Sequence, residues 1–167
     1  MKKWILATAM LAAVLLAACS GTRSTPENVA QELGVSLPET VSVGYEDTHG
    51  GFHGDGETFV TLTFSADDAA ALQAQLAEQG WQPLPMEGEM RAAVYGGELD
   101  GVNYGDGVFA RYSVSAPVNG WYWFFDRHSE ATDPHSADGL LGRYSMNYSA
   151  AVFDADRNTL YYYELDT

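Results

Sequence analysis

Two histidines and several carboxylates lie close together in residues 47–57, which read DTHGGFHGDGE. The four side chains that could meet at one ion are Asp47, His49, His53 and Asp55. Imidazole nitrogens and carboxylate oxygens bind zinc and other divalent ions, and the intervening glycines would let the backbone wrap around one. The spacing matches no metal-binding motif, and a long solvated loop before a strand would have the same composition. A divalent-metal site is therefore one alternative, and no other cofactor is predicted.

The densest aromatic run is residues 121–125, which read WYWFF. Alternate side chains of a strand point to opposite faces of the sheet, so Trp121, Trp123 and Phe125 share one face. If both faces were covered, this would be a central strand of the core, the more usual role of such a run. If the face with these three rings is open, it forms a stacking platform for sugar rings or peptide, which residues 161–163 (YYY) would extend. These three rings are the predicted ligand-binding set.

A second polar segment surrounds His128 and His135. Ser129 beside His128, together with a nearby acid, could be drawn as the nucleophile and base of a hydrolase. Such trios are assembled in space and not by adjacency in the chain, and the sequence contains no Gly-x-Ser-x-Gly turn. No catalytic residue is therefore predicted, and a hydrolase is kept only as a second alternative.

The N-terminus follows the pattern of an export segment. Lys2 and Lys3 give a short positive start, an apolar stretch over residues 4–16 follows, and small residues precede Cys19, the sole cysteine. The apolar stretch is too short and too rich in alanine for a spanning helix, which needs about 20 apolar residues. With a single thiol, no intramolecular disulfide can form.

The residues Leu16-Ala17-Ala18-Cys19 resemble the lipobox of bacterial lipoproteins. The resemblance implies that the thiol of Cys19 takes a diacylglyceryl group and that cleavage makes this cysteine the new N-terminus. It divides the chain into a cleaved signal peptide (1–18), a lipid-anchored tether (19–25) and one globular domain (26–167). Two or more acyl chains make such an attachment effectively permanent.

The same resemblance implies a location on the extracytoplasmic side of the cell membrane, with the membrane as a partner through Cys19. In a host with two membranes, Ser20 would direct the protein to the outer one. Residues 47–57, 121–133 and 161–165 further resemble uncharacterised small lipoproteins of Gram-positive gut bacteria, a likeness that implies a host range and no activity.

The charge of the chain restricts its partners. The formal charge is -15, and removal of Lys2 and Lys3 leaves six arginines against 23 acidic residues, which gives -17. Such a surface repels phosphate backbones and anionic lipid headgroups, so we expect no nucleic-acid partner. The partner could be a protein, a peptide or a glycan, and the sequence does not distinguish between them. We expect the protein to be a monomer.

The pattern of elements predicts the fold class. N-cap and glycine signals predict helices over residues 25–34 and 65–80. Alternating or β-branched runs predict strands over residues 41–45, 57–64, 91–95, 108–115, 120–126, 144–152 and 159–165. Turns at residues 117–120 and 154–158 predict two hairpins.

Strands outnumber helices and neighbours are linked by hairpins, so we expect a single α+β domain: two layers, with an antiparallel sheet and one main helix packed on one face. The most economical interpretation is a lipid-anchored extracytoplasmic binding or structural protein and not an enzyme, with a metal-binding protein as the alternative.

Overall fold

A computed structural model describes residues 25–38, 42–50, 55–128 and 130–167. The export segment, Cys19, His53 and Ser129 lie outside the described residues. The helices are α1 (Pro26–Leu33), α2 (Ala66–Glu78), α3 (Gly88–Tyr95), α4 (Gly107–Ala110) and a 3₁₀ turn (Leu140–Gly142). The strands are β1 (Ser42–Asp47), β2 (Gly56–Thr63), β3 (Gln82–Pro83), β4 (Glu98–Leu99), β5 (Val102–Asn103), β6 (Gly120–Asp126), β7 (Tyr148–Asp154) and β8 (Thr159–Asp166).

Six strands form one open sheet in the order β1-β2-β8-β7-β6-β3, and every neighbouring pair is antiparallel. Strands β7 and β8 form the predicted C-terminal hairpin. The carboxylate of Asp154 accepts hydrogen bonds from the backbone nitrogens of Asp156 (3.0 Å) and Arg157 (3.1 Å), which fixes the turn between them. The predicted antiparallel α+β fold is confirmed.

Helix α2 covers one face of the sheet. The Ser65 hydroxyl caps it by accepting from the backbone nitrogen of Asp68 at 3.2 Å, and Leu72 and Leu76 are buried at helical spacing. Trp81 folds back so that its backbone nitrogen donates to the Leu76 carbonyl. Helix α1 lies on the same face and adds Val29 and Leu33 to this cluster.

The opposite face of the sheet is covered by a second layer of helices, which was not predicted from the sequence. It consists of α3, α4 and the 3₁₀ turn, whose buried side chains include Met90, Phe109 and Leu140. Strand β7 is accordingly buried along all seven of its residues, the burial expected of a strand that is covered on both faces.

Two predicted strands are wrong. Residues 91–95 belong to α3, and residues 108–115 contain the short helix α4 and no strand. Short apolar runs do not distinguish a strand from a buried helix, and here the fold places Val94 and Phe109 in a helical layer. The hairpin expected at residues 117–120 is therefore absent, because β6 pairs with β7 and β3 instead.

Within the ranges 25–38, 42–50, 55–128 and 130–167, no helix combines the length and the apolar character needed to cross a membrane.

Candidate functional site

A cavity of about 390 Å³ opens on the face covered by α1 and α2, between β6 and the end of α1. We term it the aromatic cleft. It is lined by Glu32, Leu33, Gly34, Trp123, Phe125, Arg127 and His135. Gly34 ends α1 in a left-handed conformation with φ 67°, so the chain leaves the helix beside the two rings of β6.

The aromatic wall of the cleft is a stacked pair. The rings of Trp123 and Phe125 have centroids 6.0 Å apart and are 13° from parallel. Both side chains are half-buried, as is Trp121, whereas Phe124 on the other face of β6 is buried. The three predicted ligand-binding residues thus share one partly open face, with Trp123 and Phe125 in the cleft and Trp121 packed against the neighbouring core cluster.

His135 forms the edge of the aromatic wall. Its ring lies edge-on to Phe125 at 5.3 Å and to Trp123 at 6.2 Å between centroids. Its Nδ1 lies 2.9 Å from the carbonyl oxygen of Phe124, which can only accept, so Nδ1 carries the proton. In the neutral ring Nε2 is then an acceptor, which gives this edge of the cleft a hydrogen-bonding group for a ligand hydroxyl.

The Arg127 guanidinium is the polar end of the cleft. It donates to Oδ1 of Asp166 at 2.8 Å and to the carbonyl oxygen of Leu165 at 3.2 Å. Glu32 lies 3.4 Å from the guanidinium and also accepts from the Ser149 hydroxyl at 2.7 Å. Because these bonds hold Arg127 from several sides, the charged end of the cleft is fixed in position.

A smaller cavity of about 280 Å³ continues past the Glu32–Arg127 pair. Its lining includes Glu164 and Asp166, so three carboxylates face one guanidinium across the two cavities. The Tyr162 hydroxyl donates to Oε2 of Glu164 at 3.3 Å. Burial raises the pKa of Tyr162 well above its ordinary value, and it stays a neutral donor. This end of the site carries net negative charge.

The tyrosines of residues 161–163 do not extend the aromatic platform. Tyr162 and Tyr163 are buried, because β8 lies between β2 and β7 with helices over both faces. Tyr161 is half-buried and packs against the core cluster on the face opposite to the cleft. The prediction that they widen an exposed surface is wrong.

The predicted metal ligands are only partly brought together. Nδ1 of His49 lies 2.9 Å from Oδ1 of Asp47, and its Nε2 lies 3.5 Å from Oδ2 of Asp166. Asp55 is exposed, and His53 is not among the described residues. In the described part of the chain, no group of three or more His, Cys, Asp or Glu side chains is placed to hold an ion. Metal binding by residues 47–57 stays a prediction.

His128 has a serine partner that the sequence did not suggest, Ser145, whose Oγ lies 3.2 Å from Nε2. The other ring nitrogen, Nδ1, accepts from the backbone nitrogen of Glu130 at 3.2 Å. In the neutral ring Nε2 therefore carries the proton and donates to the serine, which is the opposite of what a general base needs. The geometry of this pair does not activate Ser145.

The charged residues of the cleft, Glu32 and Arg127, were missed by sequence reasoning. Arg127 could have been found, because it continues the alternation of Trp123 and Phe125 by one more step. Glu32 could not, since it lies on α1, 95 residues earlier in the chain.

Comparisons of the chain with protein-family models, with curated proteins and with solved structures each find no match. The geometry of the aromatic cleft is therefore what supports a function for this protein.

Proposed function

We propose that the chain is a lipid-anchored, extracytoplasmic binding protein whose aromatic cleft takes a glycan. The observation that carries the proposal is the stacked pair of Trp123 and Phe125, half-open inside a cavity with fixed polar groups at its edges. Ligand sites are concave, mostly apolar and provided with a few well-placed polar groups, and the cleft has these properties.

The arrangement of the cleft favours sugar rings. One face of a pyranose presents C–H groups, which pack on an aromatic face, while its hydroxyls both donate and accept hydrogen bonds. Trp123 and Phe125 supply the aromatic faces. Around them, Glu32 and Nε2 of His135 accept, and the guanidinium of Arg127 donates.

The charge around the cleft narrows the class of glycan. Three carboxylates, those of Glu32, Glu164 and Asp166, surround the single guanidinium of Arg127, so the local charge is negative. Acidic sugars would approach against this field, whereas neutral or amino sugars would not. We therefore expect neutral and amino glycans to be preferred over uronic acids.

A peptide ligand is less well supported. Extended peptides bind by adding a strand to a sheet edge, where backbone groups are presented, but the cleft lies over a face of the sheet and is lined by side chains. Proline-rich segments, which bind to aromatic grooves, are the peptide class to include in a test.

Lipid anchorage supports an envelope role. The lipobox resemblance of residues 16–19 implies acylation of Cys19, and the tether of residues 19–25 would hold the domain within a short distance of the membrane surface. A glycan-binding domain at that position would meet the polysaccharides of the envelope.

Isothermal titration of the protein in lipid nanodiscs tests the proposal. The panel is cellohexaose, chitohexaose, a galacturonic acid hexasaccharide and a proline-rich peptide, each also titrated into empty nanodiscs. We expect binding of at least one of the first two and weaker or no binding of the acidic hexasaccharide. Binding of the peptide alone, or of no glycan, would contradict the proposal.

A further inference from the structure

A second cavity, of about 340 Å³, lies on the opposite face of the sheet, between the helical layer of α3 and α4 and the strands β2, β7 and β8. We term it the Arg111 pocket. Most of its wall is apolar and is formed by Ala92, Ala93, Val108, Leu141, Met146 and Leu165. Its polar lining includes Glu57, Arg111, Tyr148 and Tyr163.

Arg111 holds the polar end of the pocket. Its Nη1 donates to Oε1 of Glu57 at 2.8 Å, and its Nη2 donates to the Tyr163 hydroxyl at 3.4 Å. A guanidinium has five N–H donors, so these two bonds leave several for a ligand. The side chain of Arg111 is 53% exposed, which makes those donors accessible from the pocket mouth.

Two buried tyrosines add hydroxyl donors to the same end. Tyr148 and Tyr163 are 1% and 0% exposed, and burial raises the pKa of both well above the ordinary value, so both stay protonated. The Tyr163 hydroxyl accepts from Arg111, which leaves its own proton to be donated. Tyr148 lines the pocket beside Tyr163, with ring centroids 5.8 Å apart.

The Glu57 carboxylate at this end accepts from two side chains of the protein. Glu57 accepts from Arg111 through Oε1 and from the Tyr112 hydroxyl through Oε2 at 3.3 Å. The pocket therefore offers two hydroxyl donors and a guanidinium at the end of an apolar cavity, a set of donors that suits an acceptor such as a carboxylate.

We propose that the Arg111 pocket is a second binding site, for a small molecule with an apolar body and a single carboxylate. A carboxylate accepts without donating, and its hydrogen bonds to a guanidinium are charge-assisted and strong. The volume is at the lower end of the range for ligand sites, which suits a short aliphatic or aromatic acid. The proposal does not depend on the aromatic cleft.

Glu57 and Arg111 carry opposite charges, so removing one or the other is expected to change the affinity for the acid in opposite directions. The charge of Glu57 lies beside the position of the ligand carboxylate and opposes it, so the Glu57→Gln variant is expected to bind the acid several-fold more tightly. The Arg111→Gln variant loses the attracting charge and is expected to bind at least about tenfold more weakly. A general loss of folding could weaken binding but could not strengthen it.

The probes are hexanoate, hexan-1-ol and hexylammonium, which share one apolar body and differ in the polar group. They are titrated into the full chain in lipid nanodiscs, with empty nanodiscs subtracted, and saturation-transfer NMR reports direct contact. We expect hexanoate to bind best, Tyr148→Phe to weaken it, and the control Arg157→Gln, at an exposed arginine in the β7–β8 turn, to leave it unchanged.

Equal binding of hexan-1-ol and hexanoate would overturn the proposal, because the pocket would then be merely apolar. No binding of hexanoate, or an Arg111→Gln variant with wild-type affinity, would overturn it as well. The Ala93→Leu variant, which fills the wall, is expected to abolish hexanoate binding and to leave hexasaccharide binding in the cleft intact, so that the two sites are tested separately.

Discussion

The rings of Trp123 and Phe125 lie 13° from parallel, with centroids 6.0 Å apart, two residues apart on β6. The pleat of the strand puts them on one face, and the third ring of that face, Trp121, continues the row. The pair is only half-buried, although the face that it belongs to carries α1 and α2. Helices α1 and α2 do not cover these rings completely. The opening beside Gly34 leaves the rings available to a ligand.

Replacement of Trp123 by alanine is expected to weaken binding of the preferred hexasaccharide by about tenfold to a hundredfold. The reason is that burial of an aromatic ring against a ligand contributes about 1.5–3 kcal/mol. Isothermal titration measures the change. The control is Tyr45→Ala, which removes an aromatic ring that is 64% exposed on the edge strand β1. An equal loss of affinity in both variants would argue against the cleft.

Replacement of Cys19 by alanine is expected to release the protein from the membrane, because no acyl chain can then be attached. Fractionation of cells from the native host, with detection of the protein in membrane and soluble fractions, measures the shift. Ser20→Ala serves as the control, since it leaves the thiol in place. Unchanged membrane association of the Cys19→Ala variant would contradict lipid anchorage, as would an unmodified thiol and an uncut N-terminus in mass spectra of the native protein.

The protein is expected to lose stability at alkaline pH through its buried tyrosines. Burial raises the pKa of Tyr148, Tyr162 and Tyr163 above the ordinary value of 10.0, so they stay protonated in the folded state while the unfolded chain releases their protons. The free energy of unfolding therefore falls as the pH rises above about 10, by up to about 1.4 kcal/mol per pH unit for each tyrosine.

Urea titrations at about pH 8 and about pH 11 measure this loss, and the absorbance of tyrosinate reports when the hydroxyls ionise. We expect these three tyrosines to ionise only as the protein unfolds. Their full ionisation in protein that is still folded would show that the hydroxyls are accessible to water.

Asp126, at the end of β6, and Arg143 form an ion pair, and the carboxylate is fully buried. The backbone nitrogen of His128 also donates to Asp126, at 2.9 Å. The Asp126→Ala variant leaves the mostly buried guanidinium of Arg143 without its partner, and we expect it to lower the free energy of unfolding by about 3–5 kcal/mol. Urea unfolding measures the loss, and Asp138→Ala, at an exposed carboxylate, is expected to cost less than about 0.5 kcal/mol.

Local signals were sufficient for several elements of the fold. Helix α2 is bounded by a capping serine and carries leucines at helical spacing, and the β7–β8 hairpin has alternating strands joined by an Asp- and Asn-rich turn. Helix α3 lacks such signals, since Glu87 makes no side-chain cap and its apolar residues form one short run. The second layer could not be predicted because tertiary packing decides whether such a run is a helix.

The two candidate sites also differ in how far they could be predicted from the sequence. The rings of the aromatic cleft lie on one strand, so alternation alone placed them on one face. In the Arg111 pocket, Glu57 and Arg111 are 54 residues apart, on β2 and just after α4, and only the folded chain brings their side chains to 2.8 Å. A site that depends on such long-range contacts cannot be predicted from the spacing of residues along the sequence.

The indole N–H resonances of Trp81, Trp121 and Trp123 offer the most direct test of glycan binding in the aromatic cleft. They are followed by NMR during titration with cellohexaose or chitohexaose, after assignment by single substitutions. The resonance of Trp123 is expected to shift in a saturable way and that of Trp81, which is 3% exposed, to move least. Saturable binding of the glycan that leaves the Trp123 resonance unmoved, or no binding of either glycan, would contradict the proposed site.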